Sequence, residues 1–307
     1  MHTILGAGGA IGAGLVMELV GSGHQVRLVG RNPIMIPGSL EIVAADISNL
    51  YETIRAVSGS TVVYLLVGLK YDLKVWTELW SLIMNNTIEA CKRANARLVF
   101  FDNAYMYGKV NGHMTEETPF NPCSKKGDIR ARIATTLLNE ISSGALNATI
   151  ARSADFYGPG AKNSVANMLV FDKFSKGGSA MWLVNDSVPH SYSFTRDVAK
   201  SLVILAESET AWNQTWHVPT AANPPTGMEF IHLVAKGFGV KPKHRILNRP
   251  QVMLAGLFDS NVRESYEMLY QSETEYVFDS SKFSTAFGYE PTSYAEGINI
   301  TSQAYKS

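Results

Sequence analysis

The first twelve residues, MHTILGAGGAIG, constrain this chain more than any other stretch. A short apolar run, Thr3-Ile4-Leu5, stops at Gly6. Glycines recur at Gly9 and Gly12, with Gly8 between them, and Ile11, Leu15, Val16, Leu19 and Val20 follow at helical spacing. Strand, glycine turn and helix in immediate succession form the context of a dinucleotide-binding turn. The first glycine permits a tight turn, the second lets the backbone approach a pyrophosphate, and the third lets helix and strand pack closely. The start of the helix then offers free N–H groups and a partial positive charge to phosphate. The alternative is a glycine turn that holds no nucleotide.

Alternation continues through the first half. Residues 25–29, 40–44, 61–66, 97–101 and 148–152 read as further strands, and 216–218 as a seventh. Residues 61–66 are almost continuously apolar, as a parallel strand covered on both faces should be. Helices are expected over 75–94, about 124–142 and 198–205 by their 3.6-residue period. The expected fold is α/β, a Rossmann-type doubly wound parallel sheet, with ligands beyond the carboxyl ends of its strands. The pattern loosens after Tyr157-Gly158-Pro159-Gly160. Residues 1–160 with 191–220 are read as the dinucleotide-binding domain. Residues 161–190 with 221–307 are read as a smaller, mainly C-terminal substrate lobe.

The 307 residues are 46% hydrophobic and 18% charged, with 27 basic and 27 acidic side chains. A balanced charge gives no reason to expect nucleic acid or an anionic membrane as partner. No apolar run has the length of a membrane span, and no signal peptide is visible. Two cysteines, Cys91 and Cys123, fit a reducing, cytoplasmic setting. No metal site is expected, because no Cys/His cluster has ligand spacing.

These residues resemble the extended or atypical branch of the short-chain dehydrogenase/reductase superfamily, the NAD(P)-dependent epimerases, dehydratases and reductases. Gly6-x-x-Gly9-x-x-Gly12 is similar to that family's cofactor loop. Asp46 after strand three looks like its adenine-side acid, and Tyr107-Gly108 like its "YG". Arg152 to Gly160 is similar to its "R…YGPG" segment, and His190 to Ala199 to its segment ending in "DVA". The resemblance implies that Gly6, Gly9, Ile11, Gly12, Asp46, Ile47, Val67, Gly68, Asp155 and Phe156 line the cofactor. It implies that His190 and Tyr192 line the substrate cleft. A homodimer through the helices after strands four and five is the partner it suggests.

The catalytic positions depart from the family. Its Ser or Thr after strand five falls on Asn103. Its Tyr-x-x-x-Lys falls on Lys126-Gly127-Asp128-Ile129-Arg130, so lysine replaces tyrosine and arginine replaces lysine. Arg130 is expected to hold the nicotinamide ribose. Lys126 is a poor substitute for a phenol unless burial lowers its pKa. Tyr105, two residues past Asn103, is the candidate proton donor, or else a tyrosine packed under its loop. Asp102 is a candidate base or a turn cap. Arg263 and Glu264, with Glu267, either face the cleft or form helix-surface ion pairs at i, i+4.

Gly30-Arg31-Asn32 ends strand two with no acid for the ribose hydroxyls, and an arginine there can pair with a 2′-phosphate. NADP is therefore the expected cofactor, with NAD as the alternative. The expected activity is an NAD(P)-dependent oxidoreductase or epimerase/dehydratase acting on a small polar molecule such as a sugar or nucleotide sugar. The competing reading is a dinucleotide sensor that kept the cofactor loop and lost the proton relay.

Overall fold

The computed structural model describes residues 1–306. Strand β1 (His2–Leu5) leads into helix α1 (Ala10–Gly21) and β2 (Val26–Gly30). Next come β3 (Glu41–Ala44), α2 (Leu50–Val57), β4 (Val62–Leu65) and α3 (Leu73–Ala94). Then follow β5 (Arg97–Asp102), α4 (Lys125–Ser142), β6 (Ala148–Arg152), α5 (Thr195–Glu207) and β7 (Thr215–His217). The seven strands form one sheet in the order β7-β6-β5-β4-β1-β2-β3, with every pair parallel. The chain order reverses between β1 and β4, which puts the crevice for a ligand beyond their carboxyl ends.

Successive strand residues feed opposite faces. Leu5, Val63, Leu65, Leu98 and Phe100 join Trp76, Trp80, Ile83, Ile129 and Leu137 in one core, against α2, α3 and α4. Ile4, Val62, Tyr64 and Val99 join Leu15, Leu19, Val198 and Leu202 in the other, against α1 and α5. The Trp76–Trp80 stripe is therefore core.

Side-chain caps fix where three of these helices begin. Asn49 accepts from the N–H groups of Tyr51 and Glu52, Asp72 from Val75, and Ser124 from Gly127. Asp72 starts α3 two residues before the expected position. Helix α2 was not anticipated from the sequence.

A third core gathers Phe171, Phe174, Trp182, Phe230, Val234 and Ile298 with Tyr157, Tyr192 and Phe194. Residues Ala180–Leu183 pair in parallel with His244–Leu247. Residues Asp155–Tyr157 pair with Tyr192–Phe194, beside the end of β6. The later chain also returns to the sheet, where Phe283 joins the core of α1 and α5. No helix among the described residues is long and apolar enough to cross a membrane.

Candidate active site at the carboxyl edge of the sheet

The three glycines stand in three different environments. Gly6 has φ +91°, and a Cβ there would lie 2.7 Å from the Val67 Cα. A Cβ on Gly12 would lie 2.4 Å from the Ala7 carbonyl oxygen. These two are required by the close approach of loop, strand and helix. Gly9 is different, because a Cβ there would meet nothing within 4 Å.

Gly9 is also the N-cap of α1, with no side-chain cap and no acidic residue in the first turn. The start of α1 thus presents backbone N–H groups toward open space, whereas α2, α3 and α4 satisfy theirs with Asn49, Asp72 and Ser124. This donor set and free volume fit a pyrophosphate. Ile11 is buried beneath the turn, and Gly68 is exposed next to Val67 at the end of β4.

Arg31 and Asp46 follow β2 and β3, and both are exposed. The Asp46 carboxylate accepts from the backbone N–H and the hydroxyl of Ser48 at 2.9 and 2.8 Å. Those hydrogen bonds hold its pKa below the usual carboxylate value, with a smaller contribution from the charge of Arg31. Ile47 is buried, and its carbonyl accepts from Asn86 and Thr53.

Past β5, the Asn103 side-chain oxygen accepts from the Tyr105 N–H at 3.1 Å and shapes a short 3-10 turn over Tyr105–Tyr107. The Tyr105 ring stacks on Trp76 at 6.4 Å between centroids. Burial raises its phenol pKa, as does the charge of Asp155, while Tyr71 beside it and the Arg130 charge act the other way. Tyr107 is fully buried, and its oxygen lies 2.8 Å from both Arg152 Nη1 and His217 Nε2.

Arg130 does not face open space. Its side chain is buried, its Nε donates to Asp102 at 2.8 Å, and its Nη2 donates to the same oxygen. The guanidinium lies over the rings of Trp80 and Phe100. Asp102 also accepts from the Asn103 N–H, and Arg152 Nε stands 3.6 Å from its second oxygen. Two arginines thus share one buried carboxylate directly under the site.

Lys126 is buried as well. Its Nζ donates to Glu264 Oε2 at 2.7 Å, to the Glu264 carbonyl at 2.9 Å and to Glu267 Oε1 at 3.0 Å. An ammonium has three protons, and all three are taken. The two carboxylates also serve helix starts. Glu264 accepts from the Leu73 N–H of α3, and Glu267 from the Lys125 N–H of α4. Both glutamates thus pair with a buried lysine of another helix rather than with a neighbour on their own.

Asp155, the first residue of the short strand after β6, has its Oδ2 3.0 Å from His190 Nε2. Phe156 beside it is partly buried against the α1–α5 core. His190 is sandwiched by Tyr192 and Tyr276, with centroids at 4.7 and 4.5 Å. The Asp155 charge is felt by Tyr71, Tyr105, Tyr192, Tyr270 and Tyr276 alike, and all five phenols are raised by burial first.

The fold therefore brings Tyr105, Asp155, His190 and Tyr192 into one aromatic group. Arg130 and Lys126 stand beside it but are committed to protein partners. Sequence reasoning missed Tyr71, Tyr270 and Tyr276. No run or spacing marks them, since they arrive from three separate segments.

The model of the NAD dependent epimerase/dehydratase family matches residues 2–218. The chain belongs to that family. Among solved structures, the UDP-glucose 4-epimerase of Thermus thermophilus, in complex with NAD, is similar with a TM-score of 0.80 at 20% identity. The likeness spans 100% of this chain and 99% of that one. MoeE5 with UDP-glucuronic acid and NAD gives a TM-score of 0.82 at 20% identity, over 99% and 98% of the two chains. DesIV, a dTDP-glucose 4,6-dehydratase from Streptomyces venezuelae with NAD bound, gives 0.81 at 17% identity, over 100% and 97%. At such identities the likeness concerns the fold. No curated protein matches the sequence.

Proposed function

We propose that the chain holds a nicotinamide dinucleotide over the Gly6–Gly12 turn and acts as an oxidoreductase or epimerase/dehydratase on a small polar molecule of the sugar or nucleotide-sugar class. The open space at Gly9, facing an uncapped helix start, carries this reading. The named neighbours support it, because each was solved with NAD. When bound, the nicotinamide supplies hydride exchange.

Gly6, Gly9, Ile11 and Gly12 would seat the pyrophosphate side of the cofactor. Asp46 and Ile47 would flank adenine, and Val67 and Gly68 the adjoining ribose. Asp155 and Phe156 would stand at the nicotinamide end. Arg31, exposed and with no acid beside it in sequence, favours a 2′-phosphate, so NADP is preferred over NAD. Arg130 acts from beneath the ribose through its charge, with Asp102 fixing its position.

The substrate lies between this edge and the lobe of residues 161–190 and 221–307, against His190 and Tyr192. Tyr105 is the proton donor of this reading and Asn103 shapes its turn. A phenol whose pKa is raised keeps its proton at neutral pH and serves as an acid or hydrogen-bond donor.

A second reading, a dinucleotide sensor without turnover, is favoured by one observation: Lys126 has no free proton in this conformation. Calorimetry with NAD and NADP tests the shared part. Incubating NADPH with a panel of carbonyl compounds while following the nicotinamide absorbance, and the protein loaded with the oxidised nucleotide with UDP-glucose while following the sugar by chromatography, separates the two. Binding with neither oxidation of NADPH nor conversion of the sugar would favour the sensor. Absence of binding to either nucleotide would end both.

A further inference from the structure

Residues 249–267 are attached to the rest of the protein in an unusual way. Helix Arg249–Ala255 buries only Val252, and helix Ser260–Ser265 buries nothing. Met253, Leu254, Leu257 and Phe258 are exposed. A segment with so little apolar burial has low local stability unless polar contacts hold it.

Such contacts exist, and they converge on one residue. Glu264 and Glu267 both bind the buried Lys126, and each also accepts from the first N–H of a sheet-flanking helix, Leu73 or Lys125. The base of the segment is anchored separately. Arg249 Nε lies 2.5 Å from Glu273 Oε1, and Met268 to Gln271 are buried just before that residue.

Two further observations concern what lies beneath. Lys126 Nζ stands 4.8 Å from the centre of the Tyr71 ring, and Tyr71 faces Tyr105. Within the anchored turn, the Tyr270 side chain is buried, with its hydroxyl beside Ser124 and Cys123. Ser124, Cys123, Tyr105 and Asp155 are the polar groups near it.

We propose that residues 249–267 are a lid over the reaction space and that Lys126 is its latch. In the closed arrangement seen here, all three Lys126 protons are held by the lid. Opening breaks the Glu264 and Glu267 contacts together, since both go to the same nitrogen, and frees Lys126 to meet an oxygen of an incoming ligand. The segment swings about the buried turn at Met268 to Gln271, with Arg249 and Glu273 keeping its ends together. This rests on the placement of the reaction space at the carboxyl edge of the sheet.

The test is hydrogen exchange read by mass spectrometry on the full chain, without nucleotide and with NADPH. Wild type is compared with Lys126→Met and with the double variant Glu264→Gln/Glu267→Gln. Removing one side of a buried ion pair leaves the other unpaired, so the latch should fail in both variants. Exchange over 249–267 and at the Leu73 and Lys125 amides should rise about tenfold or more, with 281–304 unchanged. Fluorescence of bound NADPH should become more accessible to acrylamide in both.

Unchanged exchange over 249–267 in the variants would overturn the latch, and so would an equal rise over 281–304, which reports general loosening. Faster exchange with unaltered quenching would overturn the lid's position over the reaction space. If Lys126→Met does not fold, the double variant reads the same contacts. If NADPH binds none of the proteins, the dinucleotide reading fails while the exchange comparison still decides the lid.

Discussion

Arg130 donates its Nε–H to Asp102 across 2.8 Å, and both side chains are almost wholly buried. The family position expected to hold a ribose is thus occupied by half of an internal ion pair. Replacing Arg130 by Met would leave Asp102 facing Arg152 alone, at 3.6 Å. Breaking a buried pair by removing one partner costs about 3–5 kcal/mol. Urea unfolding of Arg130→Met should show a loss of that order. A variant as stable as wild type would mean the pair is not formed in solution.

The glycine turn gives two opposite expectations. Gly9→Val adds a side chain where nothing lies within 4 Å, so the fold should survive while NADPH affinity falls about tenfold or more. Gly12→Ala puts a Cβ 2.4 Å from the Ala7 carbonyl oxygen, so stability itself should fall. Thermal unfolding combined with calorimetry distinguishes them. A folded Gly9→Val protein with unaltered affinity would remove the pyrophosphate from this turn.

Arg31→Ala should weaken NADP and leave NAD nearly unchanged. One charge-assisted hydrogen bond to phosphate contributes about 1.5–3 kcal/mol, or roughly tenfold or more in affinity. Calorimetric titrations of both nucleotides into both proteins measure this. Equal losses, or a wild type that prefers NAD, would assign Arg31 to solvent.

Tyr105→Phe should keep the fold and cofactor affinity and lower turnover about a hundredfold, the share of a positioned general acid. Stopped-flow kinetics on any compound turned over by the wild type supplies the number. Full turnover by the variant would send the proton through another group.

His217 carries a pH signature. Burial holds its pKa at about 3, below its ordinary 6.5, so the native ring stays neutral where the unfolded chain takes up a proton. Its stabilising share is complete above pH 6.5 and is lost progressively as pH falls toward 3, at about 1.4 kcal/mol per pH unit inside that window. Glu116, raised by burial, works against it at the acid end. The slope of unfolding free energy against pH should fall by about one proton in His217→Gln between about pH 5 and about 6.5. An unchanged slope would mean that His217 is not held neutral.

Much of the sheet was legible because local rules suffice there. Residues 61–66 had to be a covered strand, and Gly6, Gly9 and Gly12 had to end one and start a helix. Helix α2 was missed despite a usable signal: Asn49 followed three residues later by Glu52 is an N-terminal cap pattern. The candidate site was legible only where a single segment builds it. Asn103 and Tyr105 share one turn, but Lys126 meets Glu264 and Glu267 across 138 and 141 residues. No spacing rule spans that distance. In the sequence Glu264 reads as either a cleft residue or half of a surface ion pair, and only the fold carries it to α4.

The surroundings of α4 also decide what a change at Lys126 or Arg130 would leave behind. Lys126→Tyr with Arg130→Lys restores the family's motif in writing only. A tyrosine in place of Lys126 would face two carboxylates that lost their cation, and a lysine in place of Arg130 would give Asp102 one point charge where a planar fork now binds. Asp102, Glu264 and Glu267 would have to change along with them. Exchanging the two residues alone would leave Glu264 and Glu267 without the cation that now joins them and Asp102 with a single point charge.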